Sequence, residues 1–235
     1  AASFVGHHLD RGKNMLDDRG FDLWADGYDK SVRLSEENGV YPFAGCRGVP
    51  GTVYRRVRRH GGGDVLDVGF GTGALAARLY ADGFRIAGLD FSEKMIAAAR
   101  AKMPQAELIR WDFSKGLPDG LKSRRFDSIV STYAFHHLSD EGKAALLRSL
   151  WSILKPGGQI LVGDVSFPTR RERAACREKY RQIWDGGEAY FTWEELIPLL
   201  EGLPCAYEAI PPCAGILTVA AKTTEENMEA SSSNG

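Results

Sequence analysis

The stretch Asp64-Val65-Leu66-Asp67-Val68-Gly69-Phe70-Gly71-Thr72-Gly73-Ala74-Leu75 constrains the fold more than any other part of the chain. A short apolar run ends in an acid, three glycines alternate, and an Ala/Leu/Arg-rich segment follows. Val65, Leu66 and Val68 suit a strand buried in a parallel sheet. The glycines let the chain turn sharply and bring its backbone close to a ligand. Ala74 to Tyr80 then offers a helix N-terminus, whose spare N–H groups attract negative or lone-pair-bearing groups. Strand, turn and helix in this order make a cofactor platform built on Gly69, Phe70, Gly71 and Gly73.

Gly69-x-Gly71-x-x-Ala74 satisfies the pattern G-x-G-x-x-G/A, and Asp90 follows at about the ~20-residue spacing of a ribose-binding acid. Asp90 ends a second apolar run, Phe84 to Leu89, where a carboxylate can accept from both hydroxyls of a ribose. These residues point to a nucleoside-bearing cofactor without choosing between NAD and S-adenosylmethionine. Asp67 speaks against NAD. It lies inside the strand, two residues before the first glycine, where a dinucleotide fold places an apolar residue. There it can face the cofactor or anchor the loop.

Beyond Asp64, strands and helices alternate, the signature of a parallel sheet covered on both faces. Ser92 caps a helix with Met95, Ile96 and Ala99 on one face. A strand from Ala106 to Arg110 leads into Trp111-Asp112-Phe113. The acid can accept from an adenine amino group while Phe113 or Trp111 packs on the ring; an Asp in an ordinary loop is the plainer alternative. A strand from Phe126 to Ser131 precedes Tyr133-Ala134-Phe135-His136-His137-Leu138. Ligands in open α/β sheets bind at the carboxyl ends of strands, so Gly69, Asp90, Asp112 and Ser131 are predicted to meet at one edge. Ser139 caps a helix through Leu154, a Pro-Gly-Gly turn follows, and a strand from Gln159 to Val165 brings Asp164 to the rim. Residues 166–191, rich in arginine with Tyr180, Trp184 and Tyr190, read as a helical insert over the substrate side. Thr192-x-x-Glu195 is a capping box for a helix to Leu200. Cys205 to Ile210 and Gly215 to Lys222 close the sheet as a hairpin.

The stretches LDVGFGTG, LDFSEKM, FDSIVSTYAFHHL and LKPGGQILV resemble, in order and spacing, the motifs of class I S-adenosylmethionine-dependent methyltransferases. The resemblance covers roughly Phe21 to Lys222. Within it, Phe21 to Asp29 and Ser131 to Leu138 look like the YrrT-like branch of bacterial methyltransferases, a label that names no substrate. The resemblance implies an α/β, Rossmann-like seven-stranded mostly parallel sheet with helices on both faces. It implies S-adenosylmethionine as methyl donor and S-adenosylhomocysteine as product. It sets Phe91, Ser92 and Met95 beside the adenosine and Tyr28 in a segment that closes over the cofactor. A base is needed only if the methyl acceptor must lose a proton. His136 and His137 are the candidates, with Tyr133 beside them, since a neutral imidazole accepts a proton near pH 7. The alternative is that one ring merely supports the loop. No Asn-Pro-Pro-Tyr run follows the fourth strand, which lowers amino-methylation of DNA bases. No catechol-type metal cluster is visible, and no metal is expected.

Thirty basic against thirty-one acidic residues leave a net charge of −1, so nothing draws the chain globally to nucleic acid or an anionic membrane. Four cysteines without C-x-x-C or Cys/His spacing read as free thiols of a reducing cytosol. No run approaches the ~18–20 apolar residues of a membrane span, and no secretory signal is visible. The expectation is a cytoplasmic monomer or homodimer acting on a small-molecule acceptor, with no membrane partner. Residues 1–20 read as a flexible leader, with His7-His8 as solvated surface. Residues 21–60 read as a helical cap, 61–222 as the core with its insert at about 166–191, and 223–235 as a disordered tail. The patches Arg55–Arg59 and Arg170–Arg181 keep RNA or DNA as an alternative acceptor. A non-catalytic S-adenosylmethionine-binding protein is the other alternative.

Overall fold

Val65, Leu66, Asp67 and Val68 are all buried, as a central parallel strand covered on both faces requires. The computed structural model describes residues 48–220. The expected leader, the first part of the cap with Tyr28, and the tail lie outside the described residues. Eight strands are present among the described residues: β1 (Asp64–Val68), β2 (Arg85–Asp90), β3 (Glu107–Arg110), β4 (Phe126–Thr132), β5 (Leu154–Phe167), β6 (Phe191–Thr192), β7 (Cys205–Ile210) and β8 (Ala214–Ala220). They lie in the order β3-β2-β1-β4-β5-β8-β7, with β6 paired to β5 outside this path. β1 to β5 run parallel, and β8 is antiparallel between β5 and β7. The expected seven-stranded, mostly parallel Rossmann-like sheet is thus present. The two-residue β6 is an addition, and β7, the first strand of the closing hairpin, forms the edge. The chain runs outward from β1 to β3, then returns to place β4 on the other side of β1. The carboxyl ends of β1 and β4 therefore flank the switch point where a ligand crevice opens.

Each face of the sheet is covered by helices with apolar stripes. On one face lie α1 (Gly48–His60), α2 (Ala74–Ala81) and α3 (Glu93–Lys102). Val49, Val53 and Val57 recur every four residues along α1 and are fully buried. Val49 seats itself on Gly163 of β5, where an added Cβ would lie 2.2 Å from Val49 Cγ1. On the other face lie α4 (Asp119–Lys122) and α5 (Asp140–Trp151), which buries Leu146, Leu147 and Leu150. The insert supplies α6 (Arg170–Lys179), and α7 (Trp193–Leu196) continues into a 3₁₀ turn at Ile197–Leu200.

The predicted caps form. Ser92 Oγ accepts from the Met95 N–H at 3.3 Å, Ser139 Oγ from Gly142 at 3.1 Å, and Thr192 Oγ1 from Glu195 at 3.3 Å. Each such cap is worth about 1 kcal/mol. The boundary before β5 differs from expectation. α5 ends at Trp151, and Leu154 already pairs with Phe126 as the start of β5. Lys155-Pro156-Gly157-Gly158 is a register shift within that strand pair, not a turn after a helix. It is held there because Lys155 Nζ reaches Asp64 Oδ2 at 2.7 Å and Asp127 Oδ2 at 2.8 Å. Gly158 is required, since a Cβ would meet the Lys155 carbonyl oxygen at 2.9 Å.

Candidate active site

The three glycines after β1 all have positive φ: 71° at Gly69, 55° at Gly71 and 76° at Gly73. Their surroundings separate their roles. An added Cβ at Gly69 would lie 2.4 Å from Ala134 Cβ, and one at Gly73 would lie 3.0 Å from Ala99 Cβ and Met103 Cε. These two glycines press the loop onto the end of β4 and onto α3. Gly71 meets nothing within 4 Å and opens on free space. Phe70 turns away into the core and packs over β2, where a Cβ on Gly88 would lie 2.5 Å from its ring. Phe113 is also buried, beneath Gly69.

Asp90 organises the next strand end. Its Oδ2 accepts from the Gly71 N–H at 2.8 Å and its Oδ1 from the Ser92 N–H at 2.9 Å. A carboxylate offers about four lone-pair sites, so capacity remains for ribose hydroxyls. Burial pushes its pKa up, against the backbone N–H groups of Ser92, Gly71 and Phe91 and the charge of nearby His137. Asp67 is 1% exposed, and its Oδ1 has no hydrogen-bond partner among the described residues. Burial first, then the neighbouring Asp90 carboxylate, push the Asp67 carboxyl up to about 8.

The other predicted cofactor contacts take varied positions. Ser131 Oγ donates to the Val68 carbonyl at 2.7 Å and is buried, so it fastens β4 to the end of β1. Asp112 caps the 3₁₀ turn Phe113–Lys115, accepting from Ser114 N at 3.0 Å and Ser114 Oγ at 2.6 Å. Burial opposes its charge, but the Ser114 bonds and Lys115 prevail and lower its pKa. Met95 is buried in the first turn of α3, and Phe91 is half-buried beside Asp90.

The histidines follow β4 on a turn that begins at Tyr133, whose φ of 55° is unusual for a residue with a side chain. His136 Nδ1 lies 2.7 Å from Asp164 Oδ1, and the His136 N–H donates to Asp164 Oδ2 at 3.0 Å. Asp164 comes from β5 and is completely buried. Burial works against both charges, yet each supports the other: the His136 pKa is raised and that of Asp164 lowered. The His136 and His137 rings meet edge-on with centroids 4.2 Å apart. Glu188 Oε2 lies 3.0 Å from His137 Nδ1 and 3.6 Å from His136 Nε2.

Glu188 is carried to the histidines by the end of the insert. The Ala189 N–H donates to the His136 carbonyl at 2.8 Å, and β6 pairs Phe191 and Thr192 with the end of β5. Lys143, fully buried on α5, clamps the same point. Its ammonium donates to Leu138 O at 2.6 Å, Ala189 O at 2.7 Å and Asp140 Oδ1 at 2.9 Å. Sequence reasoning missed Glu188 and Lys143 and placed Asp164 only at the rim. Lys143 had a signal: it sits three residues before Leu146, on the buried stripe of α5. Glu188 had none, because nothing local distinguishes it.

The arginine patches are paired in part. Arg56 bonds Glu208 and Thr218, Arg58 pairs with Asp82, and Arg170 and Arg173 both reach Glu195.

A family model described as a methyltransferase domain matches residues 65–158. An uncharacterized methyltransferase of Geobacillus sp. (strain WCH70) is 35% identical over 187 residues, covering 77% of this chain and 84% of the relative. The chain belongs to the methyltransferases, and its fold is the Rossmann-like class I one. It is an enzyme of that family. Solved structures share the fold. The magnesium protoporphyrin IX methyltransferase of Synechocystis PCC 6803 with bound S-adenosylhomocysteine aligns with a TM-score of 0.64 at 17% identity, over 88% of this chain and all of that one. DhpI in complex with S-adenosylhomocysteine aligns with a TM-score of 0.61 at 20% identity, over 87% of this chain and 95% of that one. Among the described residues no helix is long and apolar enough to cross a membrane.

Proposed function

We propose that the chain methylates a small-molecule acceptor, with the cofactor lying over the Gly69–Gly73 loop and the acceptor approaching from His136. The observation that carries this reading is the His136–Asp164 pair. With Asp164 holding Nδ1–H, the lone pair of Nε2 is left for the acceptor's proton. The residues fit the cofactor. The open space over Gly71 accommodates it, Asp90 suits the ribose, and the orphaned buried carboxyl of Asp67 suits the positively charged methionine end. Phe91, Ser92, Met95, Asp112 and Phe113 complete the adenosine side, Phe113 and Ser92 by supporting the loops. Ser131 joins β1 to β4 beneath them.

When bound, S-adenosylmethionine supplies an electrophilic methyl group on sulfur. The protein's contribution is to hold donor and acceptor in line at about 3–3.5 Å. His136 Nε2 takes a proton from an acceptor that must lose one, and Tyr133 and His137 shape the acceptor's approach. The ion pairs of Arg56, Arg170 and Arg173 support a small acceptor over RNA or DNA, because guanidinium groups already bound to Glu195 or Glu208 are poor grips for phosphate.

The experiment is a screen with methyl-labelled S-adenosylmethionine against small O-, N- and S-nucleophiles, with tRNA and DNA in parallel. The expected result is label on a small molecule and loss of transfer in His136→Ala. Label on nucleic acid, with salt-dependent binding, would overturn the reading.

A further inference from the structure

We propose that His136, His137 and Glu188 bind a divalent transition metal ion, with Zn²⁺ the best match to the donor set. This rests, for the ion's use, on the reading of this end of the cleft as the acceptor side. The ligand atoms of the three residues lie within 4.8 Å of one another. Tetrahedral zinc with bonds of about 2.0–2.1 Å sets its ligand atoms about 3.3 Å apart. The separations from Glu188 Oε2, 3.0 Å to His137 Nδ1 and 3.6 Å to His136 Nε2, bracket that value. Despite this closeness, Glu188 Oε2 is buried and takes no properly directed hydrogen bond from either ring. Glu188 Oε2 thus converges with two ring nitrogens without a hydrogen bond from either.

The surroundings match what a metal site needs. A metal-bound histidine characteristically donates its other ring N–H to a carboxylate, which fixes ring and tautomer. Asp164 does this for His136, and its second oxygen holds the His136 backbone. Glu188 is fixed independently by the Ala189–His136 backbone bond and by Lys143. Two imidazoles and one carboxylate leave one tetrahedral position open, as in catalytic rather than structural zinc sites. An acceptor's oxygen, nitrogen or sulfur lone pair can occupy it. Coordination would then weaken the acceptor's bond to its proton, which leaves to solvent, and His136 would serve as a ligand in place of a base.

The test uses the full chain, stripped with a chelator, in a His7→Ala/His8→Ala background so that these two histidines cannot contribute. Co²⁺ is titrated in and its visible absorption followed, then displaced with Zn²⁺. The expected result is one equivalent per chain, with affinity reduced at least about tenfold in Glu188→Gln and His137→Gln. Asp164→Asn, which leaves all three ligands in place, should weaken binding by about 10–100-fold. Glu188→Gln keeps a hydrogen-bonding oxygen but loses the anionic ligand, so a mere proton-sharing cluster predicts no change. Calorimetry with S-adenosylhomocysteine on each variant certifies the fold and reports separately on the cofactor site. No uptake by the stripped protein, or uptake indifferent to both Gln variants, would overturn the proposal.

Discussion

Asp164 grips His136 at two points: one carboxylate oxygen lies 2.7 Å from the ring Nδ1, and the other accepts the backbone N–H at 3.0 Å. The double grip fixes where the ring sits and which nitrogen carries its proton. In Asp164→Asn the amide oxygen can keep the backbone bond, but the amide NH₂ then faces Nδ1. The ring must turn over its tautomer, and Nε2 becomes a donor. Turnover of an acceptor found by the screen should fall by about 100-fold or more. The dissociation constant for S-adenosylhomocysteine should stay within about twofold, because Asp164 touches no part of the glycine loop. Equal losses in turnover and cofactor affinity would mark Asp164 as a purely structural residue.

Asp90 presents the complementary case, in which binding fails before chemistry is tested. Its two oxygens tie the Gly71 and Ser92 N–H groups together, and the remaining lone pairs suit the ribose. Hydrogen bonds to charged groups contribute about 1.5–3 kcal/mol. Asp90→Ala should therefore weaken S-adenosylmethionine and S-adenosylhomocysteine by about 10–100-fold in calorimetric titration. NAD should not bind the wild-type protein, and measurable NAD affinity would contradict the cofactor reading.

The glycines of the loop should divide into two kinds. Gly69→Ala drives a Cβ to 2.4 Å from Ala134, so the loop must move and stability falls. Gly71→Ala meets no neighbour, and its cost is the left-handed backbone alone, about 1–2 kcal/mol. Its Cβ would occupy the space assigned to the cofactor. Thermal unfolding should rank Gly69→Ala as the less stable variant, while Gly71→Ala loses more cofactor affinity than its stability change explains. A Gly71→Ala protein that binds S-adenosylhomocysteine normally would place the cofactor elsewhere.

The cofactor half of this site was legible because its geometry is local. A strand, a turn and a helix start fall within a dozen residues, and φ > 0 at Gly69, Gly71 and Gly73 leaves glycine as the natural choice. The spacing to Asp90 is fixed by one helix and one strand. The acceptor half is assembled over long range. His136 and His137 stood out after β4, but their partners come from β5 and from the end of the insert. Glu188 reaches them only because β6 and Lys143 anchor residues 189–192, and a two-residue strand leaves no periodicity to read. The α5 boundary was misplaced for a related reason. Leu154 is apolar and buried whether it ends a helix or starts a strand, and its pairing with Phe126 decides the matter.

Asp67 makes stability depend on pH in an unusual direction. Its carboxyl is raised to about 8 in the folded protein, against 3.8 ordinarily. Between these values the folded protein keeps a proton that the unfolded chain has released. The group's contribution is complete below about pH 4 and is lost as pH rises toward 8, at about 1.4 kcal/mol per pH unit. Asp90, raised in the same direction, stays in place as a common background. Asp67→Asn removes the first slope, so its stability relative to wild type should rise steadily between pH 5 and 8. Urea unfolding across that range measures the difference, and a difference independent of pH would show that Asp67 stays ionised. S-adenosylmethionine should reverse part of the effect, since its positive charge favours the carboxylate and binding should release a proton.

Lys143 offers the sharpest separation between the two halves of the cleft. Its ammonium is fully buried and holds two carbonyls, of Leu138 and Ala189, together with Asp140. Lys143→Met keeps an unbranched apolar chain but loses the ammonium over the Phe191 ring and strands both carbonyls without a donor. The cost should be roughly 2–4 kcal/mol in urea unfolding. Release of Ala189 also frees Glu188 from the histidines, so cobalt uptake should fall in parallel. The glycine loop and Asp90 make no contact with this clamp, and S-adenosylhomocysteine binding should persist in the folded fraction. A stable Lys143→Met protein with intact metal uptake would mean that the insert is held on the histidine loop by β6 alone.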